Sequence, residues 1–167
     1  GENITPNQHA LAKNFVLLDN FYVDGEVSMD GHNWTMGAYA TDFLEKSWVS
    51  SYGGKGGSYD GEGNRKVANN KGGFFFYYAK KAGVSFRSYG EFVDNYKANI
   101  PVLEGNFCKY FTGYNNSVMD TTRFYQWKKD FDSLLAINKV PQFNSVRFSN
   151  DHTEGLRLGR PTPYAHV

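Results

Sequence analysis

A layered α/β fold is what this sequence predicts, and three stretches of it carry the prediction. Residues 73–82 carry a helical pattern that Gly83 stops, and residues 84–89 then alternate apolar and polar as a half-buried strand does. Residues 120–138 hold the clearest helix of the chain, with Phe124, Trp127, Phe131, Leu134 and Leu135 on one stripe at helical spacing. Pro141 closes that helix's connection, and residues 143–148 form the next strand candidate. Helices interleaved with strands are the pattern of α/β layers.

The remaining elements follow from local chemistry. Thr5 before Pro6 marks a helix start, because a hydroxyl suits the N-cap and a proline loses nothing at the first helical position. That helix is expected to reach about Asn14. Phe15, Val16, Leu17 and Leu18 form a short apolar run ending at Asp19 and Asn20, which reads as a buried strand. Residues 21–27 continue extended or turn at Asp24-Gly25. A second helix is expected from about Asn33, its apolar side marked by Trp34, Met36, Ala38, Ala40, Phe43 and Leu44. Between Tyr52 and Asn64 six glycines remove any periodic apolar face, so this stretch reads as a loop. On the 120–138 helix, Asp120 or Thr121 is the expected cap, and Lys128, Lys129, Asp130 and Asp132 the solvent side.

Composition narrows the function classes. The chain of 167 residues suits one domain, and 40% hydrophobic with 21% charged residues is globular usage. Aromatic residues reach 17%, with 14 Phe and 12 Tyr, which suits a thick core as well as a sugar or ester cleft; the core is the reading taken. A net charge of +1, with no basic face apparent, argues against a nucleic-acid partner. Cys108 is the single cysteine, which leaves no internal disulfide and no thiolate cluster. No apolar run approaches the roughly 20 residues of a transmembrane helix. The chain starts without Met, at Gly1, and has no polar tail before Val167, so both ends read as cut.

Two stretches concentrate chemistry. Residues 28–32 place Ser28, Asp30 and His32 around the turn glycine Gly31, a possible nucleophile with supporting charges. The same residues also read as a polar turn that caps the next helix through Ser28 or Asp30. Asp151 and His152 follow the last strand candidate, where α/β proteins meet ligands, and form either a metal-ligating pair or an ordinary loop. The glycine loop lacks the Gly-Lys-Ser/Thr ending of a nucleotide-binding P-loop; it reads as a surface loop or a flap over a substrate. His9 reads as structural. Asn3 and Asn33 each open an Asn-X-Thr pattern, which matters only in a eukaryotic secretory protein.

Two stretches, residues 5–34 and 150–163, together resemble a known family. Thr5-Pro-Asn-Gln-His-Ala-Leu-Ala, Phe15-Val-Leu-Leu-Asp-Asn-Phe-Tyr and Gly25-Glu-Val-Ser-Met-Asp-Gly-His-Asn-Trp are similar to the bacterial phosphoesterase family, which includes phospholipase C-type and acid phosphatase-type enzymes. Asn150-Asp-His-Thr-Glu-Gly through Gly159-Arg-Pro-Thr-Pro looks like the branch often fused to a β-propeller. The middle of the chain, about 50–140, matches loosely. The resemblance implies a partial alkaline-phosphatase-like α/β/α sandwich, with residues 1–167 a single piece of a catalytic domain truncated at both ends.

It also implies metal-dependent hydrolysis of phosphomonoesters or phosphodiesters by a periplasmic or secreted enzyme, with phosphoglycerol transfer as a related chemistry. Carried over, Ser28 is the nucleophile, Asp30 and His32 line its pocket, Asn20 and His152 contact substrate, and Asp151 with His152 contact a divalent metal such as zinc, calcium or manganese. Full-length members carry a Glu-Asn-Arg-Thr metal motif upstream and Asp- and His-rich motifs downstream. Glu2-Asn3 reads as a coincidental echo of the former. The chain alone is therefore expected to lack most metal ligands and to be inactive, its partners being a phosphate-ester substrate and the missing parts of the parent chain. The rival from another class is a non-catalytic glycan- or ligand-binding module, for which a row of exposed Tyr and Trp on one face would speak.

Overall fold

A computed structural model describes residues 1–166; Val167 lies outside the described residues. The chain is a mixed α/β protein in which helices outnumber a few strands held in two small sheets. Helix α1 spans Pro6–Asn14, α2 Ser28–Gly37, α3 Asp42–Ser51 and α4 Phe75–Lys81. Strands β1 (Phe86–Tyr89), β2 (Val93–Asp94) and β3 (Lys97–Ala98) come next, then α5 (Asp120–Ala136), β4 (Phe143–Val146) and the single turn α6 (Pro163–His166).

Strands β1 and β4 pair in parallel, Phe86 opposite Phe143 and Tyr89 opposite Val146. Parallel neighbours need a long return connection, and α5 lies within it. On its other side β1 makes a single bridge, Ser88 to Phe107. Strands β2 and β3 form a minimal antiparallel hairpin whose two turn residues, Asn95 and Tyr96, both take positive φ.

The main core collects Phe74, Phe76, Phe86, Phe92, Val93, Ile100 and Leu103. Its rings meet at an angle, with centroids 4.5 Å apart for Phe74 and Phe92 and 5.3 Å for Phe76 and Phe86. A second cluster of Met29, Leu44 and Ala68 ties α2 to α3. A third joins Tyr89, Cys108 and Phe111 to Trp127 of α5. The thick-core reading thus holds for the phenylalanines of the main cluster. Tyrosine departs from it: Tyr89 is buried, whereas Tyr22, Tyr78, Tyr96, Tyr110, Tyr125 and Tyr164 are more than half exposed.

Several local expectations need correction. Phe15–Leu18 is not a buried strand: its side chains are exposed, Val16 at 85%, and no strand pairs with it. Apolar content signals a wish for burial but does not supply a partner edge. The second helix starts five residues earlier than predicted, at Ser28. It also breaks after Gly37, where Ala38 takes the left-handed conformation and ends α2 as a C-cap. On α5, Asp130 is not on the solvent side; it is buried, receiving Arg87 Nε and Nη2 and the Tyr89 hydroxyl. The predicted apolar stripe is the more open face at Phe124 and Leu135, because two polar networks, at Arg123 and Asp130, occupy the side facing the protein.

The first α5 cap is Met119 rather than Asp120 or Thr121, and Asp120 serves the neighbouring turn instead. No helix among the described residues is long and apolar enough to cross a membrane.

Candidate functional site

Helix α2 is the scaffold of the site. Ser28 is its first residue, so the hydroxyl sits at the positive end of the helix, where unpaired N–H groups favour an anion. Asp30 fixes that geometry: its Oδ2 accepts the Glu26 N–H at 3.0 Å and its Oδ1 the Val27 N–H at 2.9 Å. An acidic side chain reaching back over a helix start is one half of a capping box. Asp30 is therefore buried under the turn that presents Ser28, in the place of a positioning group. His32 and Asn33, one turn on, face inward to different partners.

Asn33 is fully buried, and its amide divides its bonds between two loops. Its Nδ2 donates to the Ala68 carbonyl at 3.0 Å, and its Oδ1 accepts the Glu62 N–H at 3.0 Å. A side chain so engaged is closed to glycosylation in the folded protein. The glycine loop, read from the sequence as surface, thus turns inward at its end: residues 60–63 are buried. Gly61 packs against α2 so closely that a Cβ there would lie 2.4 Å from the Met29 carbonyl oxygen, and only glycine permits this approach.

Glu62 takes φ +52°, an unusual backbone for a residue with a side chain. The strain is held on both sides by asparagines, Asn33 on its N–H and Asn99 Nδ2 on its carbonyl at 2.9 Å. The Glu62 carboxylate receives the Tyr59 hydroxyl at 2.7 Å and Arg147 Nη1 at 2.5 Å. Arg147 directly follows β4, and its backbone N–H still pairs with the Tyr89 carbonyl, which fixes its root on the sheet. Its guanidinium lies over the Tyr114 ring, 5.6 Å from the centroid. Glu91, in the turn after β1, accepts His32 Nδ1 at 2.8 Å, while His32 Nε2 lies 3.6 Å from Glu62.

These charges set one another. Burial pushes the Glu62 carboxyl above its ordinary range, and Glu91 adds to that against the opposing pull of His32 and Arg147. Burial alone would lower His32, but the hydrogen bond to Glu91 and the Glu62 charge outweigh it and hold the imidazole above its usual value. Arg147 is likewise raised: Glu62 and Glu91 more than offset its desolvation.

A cavity of about 620 Å³ opens above this network, lined by Ser28, Tyr59, Glu62, Tyr114, Arg147 and His152 among others. Of the residues singled out from the sequence, Ser28 and His152 line this cavity although 124 positions separate them. His152 stands on a short 3-10 turn, its ring edge-on to Tyr114 at 5.1 Å. That turn is clasped to the start of α5, where the Asp120 carboxylate accepts the Ser149 and Asn150 N–H groups. Asp151 on the same turn is exposed. Asn20 lies in the exposed 15–23 stretch, where its side chain accepts the Tyr22 hydroxyl, and it is not among the cavity-lining residues.

The donor sets do not fit a divalent cation. Among the described residues the one group of three metal-capable side chains is His32, Glu62 and Glu91, with ligand atoms within 4.8 Å of one another. A cation there would have to displace Arg147 and Tyr59 from Glu62 and His32 from Glu91, since the two carboxylates are already engaged by a guanidinium, a hydroxyl and an imidazole. Asp151 and His152 supply two ligands and belong to no such group.

Sequence reasoning passed over Glu62, Glu91, Arg147, Tyr59 and Tyr114. The available signal was a carboxylate set beside glycine in a loop: Gly61-Glu62-Gly63 and Gly90-Glu91. Comparison with known protein families, curated proteins and solved structures gave no match. The functional reading accordingly rests on the site.

Proposed function

We propose that the cavity binds and cleaves phosphate esters, with Ser28 as nucleophile and Arg147 as the cation that holds the phosphoryl group. The observation that carries this is the convergence of Ser28, at a helix N-terminus, with Arg147 and His152 around one cavity. A phosphoryl group needs cationic and N–H donors on its equatorial oxygens and a nucleophile in line. The free donors of a helix start, a guanidinium and an imidazole are such a set. The fold proposed with this activity is the partial alkaline-phosphatase-like α/β/α sandwich, which the parallel β1–β4 pair and its helical connection support. An envelope or secreted location belongs to the same proposal and rests on the family resemblance alone; the divalent metal that the resemblance implies would need ligands that the described residues do not supply, and no step here is routed through it.

The test is steady-state hydrolysis of p-nitrophenyl phosphate and bis-p-nitrophenyl phosphate by the complete natural polypeptide, with and without added divalent cations. Turnover that Ser28→Ala lowers by on the order of 10³-fold or more supports the reading. Turnover at wild-type rates in Ser28→Ala rejects Ser28 as nucleophile. A second reading, a glycan-binding cleft, draws on Tyr52, Tyr59 and Tyr114 beside Asn64, Asp94 and Asn95 in the same cavity. It predicts saccharide binding that Ser28→Ala leaves intact.

A further inference from the structure

We propose that Glu62 is the catalytic proton donor of this cavity, passing to the departing oxygen of a phosphate ester a proton that His32 supplies, and that the substrates are esters of alkyl alcohols. The inference rests on the phosphoesterase reading and names within it a residue and a substrate class. Glu62 is the buried carboxylate of the cavity wall, on a backbone that only a surrounding clamp of Asn33 and Asn99 holds in the left-handed region. Strain of this kind, over-determined by neighbours, is characteristic of residues placed for a task.

In the resting geometry both Glu62 oxygens accept hydrogen bonds, from Tyr59 and from Arg147, as an ionised carboxylate does, and the proposed mechanism starts with the mobile proton on His32. A phosphoryl group drawn to Arg147 changes that balance. The guanidinium turns to the incoming anion, Glu62 loses its counter-cation, and a dianion now stands beside it. The proton moves from His32 Nε2, 3.6 Å away, to Glu62, while Glu91 keeps its bond to Nδ1 and holds the ring. The charged and titratable groups facing Glu62 are thus His32 from α2, Glu91 from the turn after β1, Arg147 after β4, and Tyr59 from its own loop; burial already biases Glu62 toward its protonated form.

The chemistry balances. Ser28 Oγ bonds to phosphorus, its proton leaving to a phosphoryl oxygen, as the bond from phosphorus to the leaving oxygen breaks. Glu62 protonates that oxygen, releasing a neutral alcohol. Water then attacks the phosphoserine and gives one proton to the Glu62 carboxylate. The phosphoryl proton returns to Ser28, and inorganic phosphate leaves. Such help matters for an alkoxide, a poor leaving group, and little for a nitrophenolate, which departs unprotonated. A built-in acid therefore marks a site for alkyl rather than aryl esters.

The experiment measures kcat/KM of the complete natural polypeptide and its Glu62→Gln variant over a series of phosphate esters from p-nitrophenol to simple alkyl alcohols. In the wild type the rate should depend weakly on leaving-group acidity. Glu62→Gln should lose about 10²–10⁴-fold on alkyl esters, the usual range for a positioned acid, and at least tenfold less than that on the aryl ester. Glu62→Asp should recover part of the alkyl activity. Equal losses across the series, or a wild-type rate that falls steeply as the leaving group becomes less acidic, overturn the proposal. The wild-type series decides the matter even where the variant fails to fold. Absence of turnover on every ester removes the phosphoesterase reading and this proposal with it, whereas turnover with equal losses removes this proposal alone.

Discussion

Two arginines, the buried Arg123 and the half-buried Arg147, answer the same physical problem in opposite ways. Arg123 is wholly enclosed, and its guanidinium donates to the carbonyls of Thr112, Gly113, Asn115 and Val118 and to the Asp120 carboxylate. Every donor direction is spent on the 112–118 loop and the start of α5. Arg147 makes a single hydrogen bond to Glu62, lies across Tyr114, and faces a cavity. A guanidinium has five N–H donors, so the first network is saturated and the second holds donors in reserve. Saturation suits a structural centre, and donors held in reserve are what the proposed phosphoryl contact requires. The same contrast separates Asp130, closed by Arg87 and Tyr89, from Glu62, which stands in the cavity wall.

The contrast can be broken most forcefully at Arg123. Arg123→Ala leaves the Thr112 and Gly113 carbonyls without a donor, takes one of two donors from those of Asn115 and Val118, and opens a large hole in the interior; backbone carbonyls cannot titrate to relieve the loss. A destabilisation of about 3–5 kcal/mol is expected, read as a lowered midpoint in urea. Arg147→Ala should cost clearly less in the same assay, because the Glu62 carboxyl it abandons can take up a proton. Its effect should fall on function instead, lowering phosphate-ester turnover by about 10²–10³-fold, the scale of one lost oxyanion donor. Equal stability losses in the two variants would erase the distinction between them.

The smallest expected effect is a pH dependence. The His32 imidazole is held above its ordinary value in the folded chain, so the folded state binds its proton more tightly than the unfolded state does. The stability it contributes is fully present below the ordinary imidazole value of 6.5 and is lost as pH rises through the higher folded value. Urea midpoints of wild type and His32→Gln should therefore differ more at pH 5.5 than at pH 9. A difference that grows with pH would reverse the sign and argue that His32 is neutral in the fold.

The two networks also explain what the sequence made legible. Helix α5, the stop at Gly83 and the strands β1 and β4 follow from short-range patterns: an apolar period of 3.6, an alternation of two, a glycine at a C-cap. Ser28 and His152 were legible as polar residues before a helix and after a strand, and the structure brings both to one cavity. Burial of Arg123 and Asp130 was not, because their partners lie on other elements, and a charge on a helix reads locally as solvent-facing. Glu62 was hidden for the same reason, inside a loop whose glycines suggested mobility. Its clamp by Asn33 and Asn99 spans 29 and 37 positions. The exposed Phe15–Leu18 run shows the converse, an apolar signal with no edge to receive it.

Ser28 carries more of the proposed chemistry than any other residue. Its most direct test is to incubate the complete natural polypeptide with p-nitrophenyl phosphate, quench in acid, digest, and weigh the peptide that carries Ser28. A phosphate's added mass on that peptide, absent in Ser28→Ala along with turnover, is the predicted result. Turnover that persists in Ser28→Ala, with no phosphate on the peptide, would contradict it.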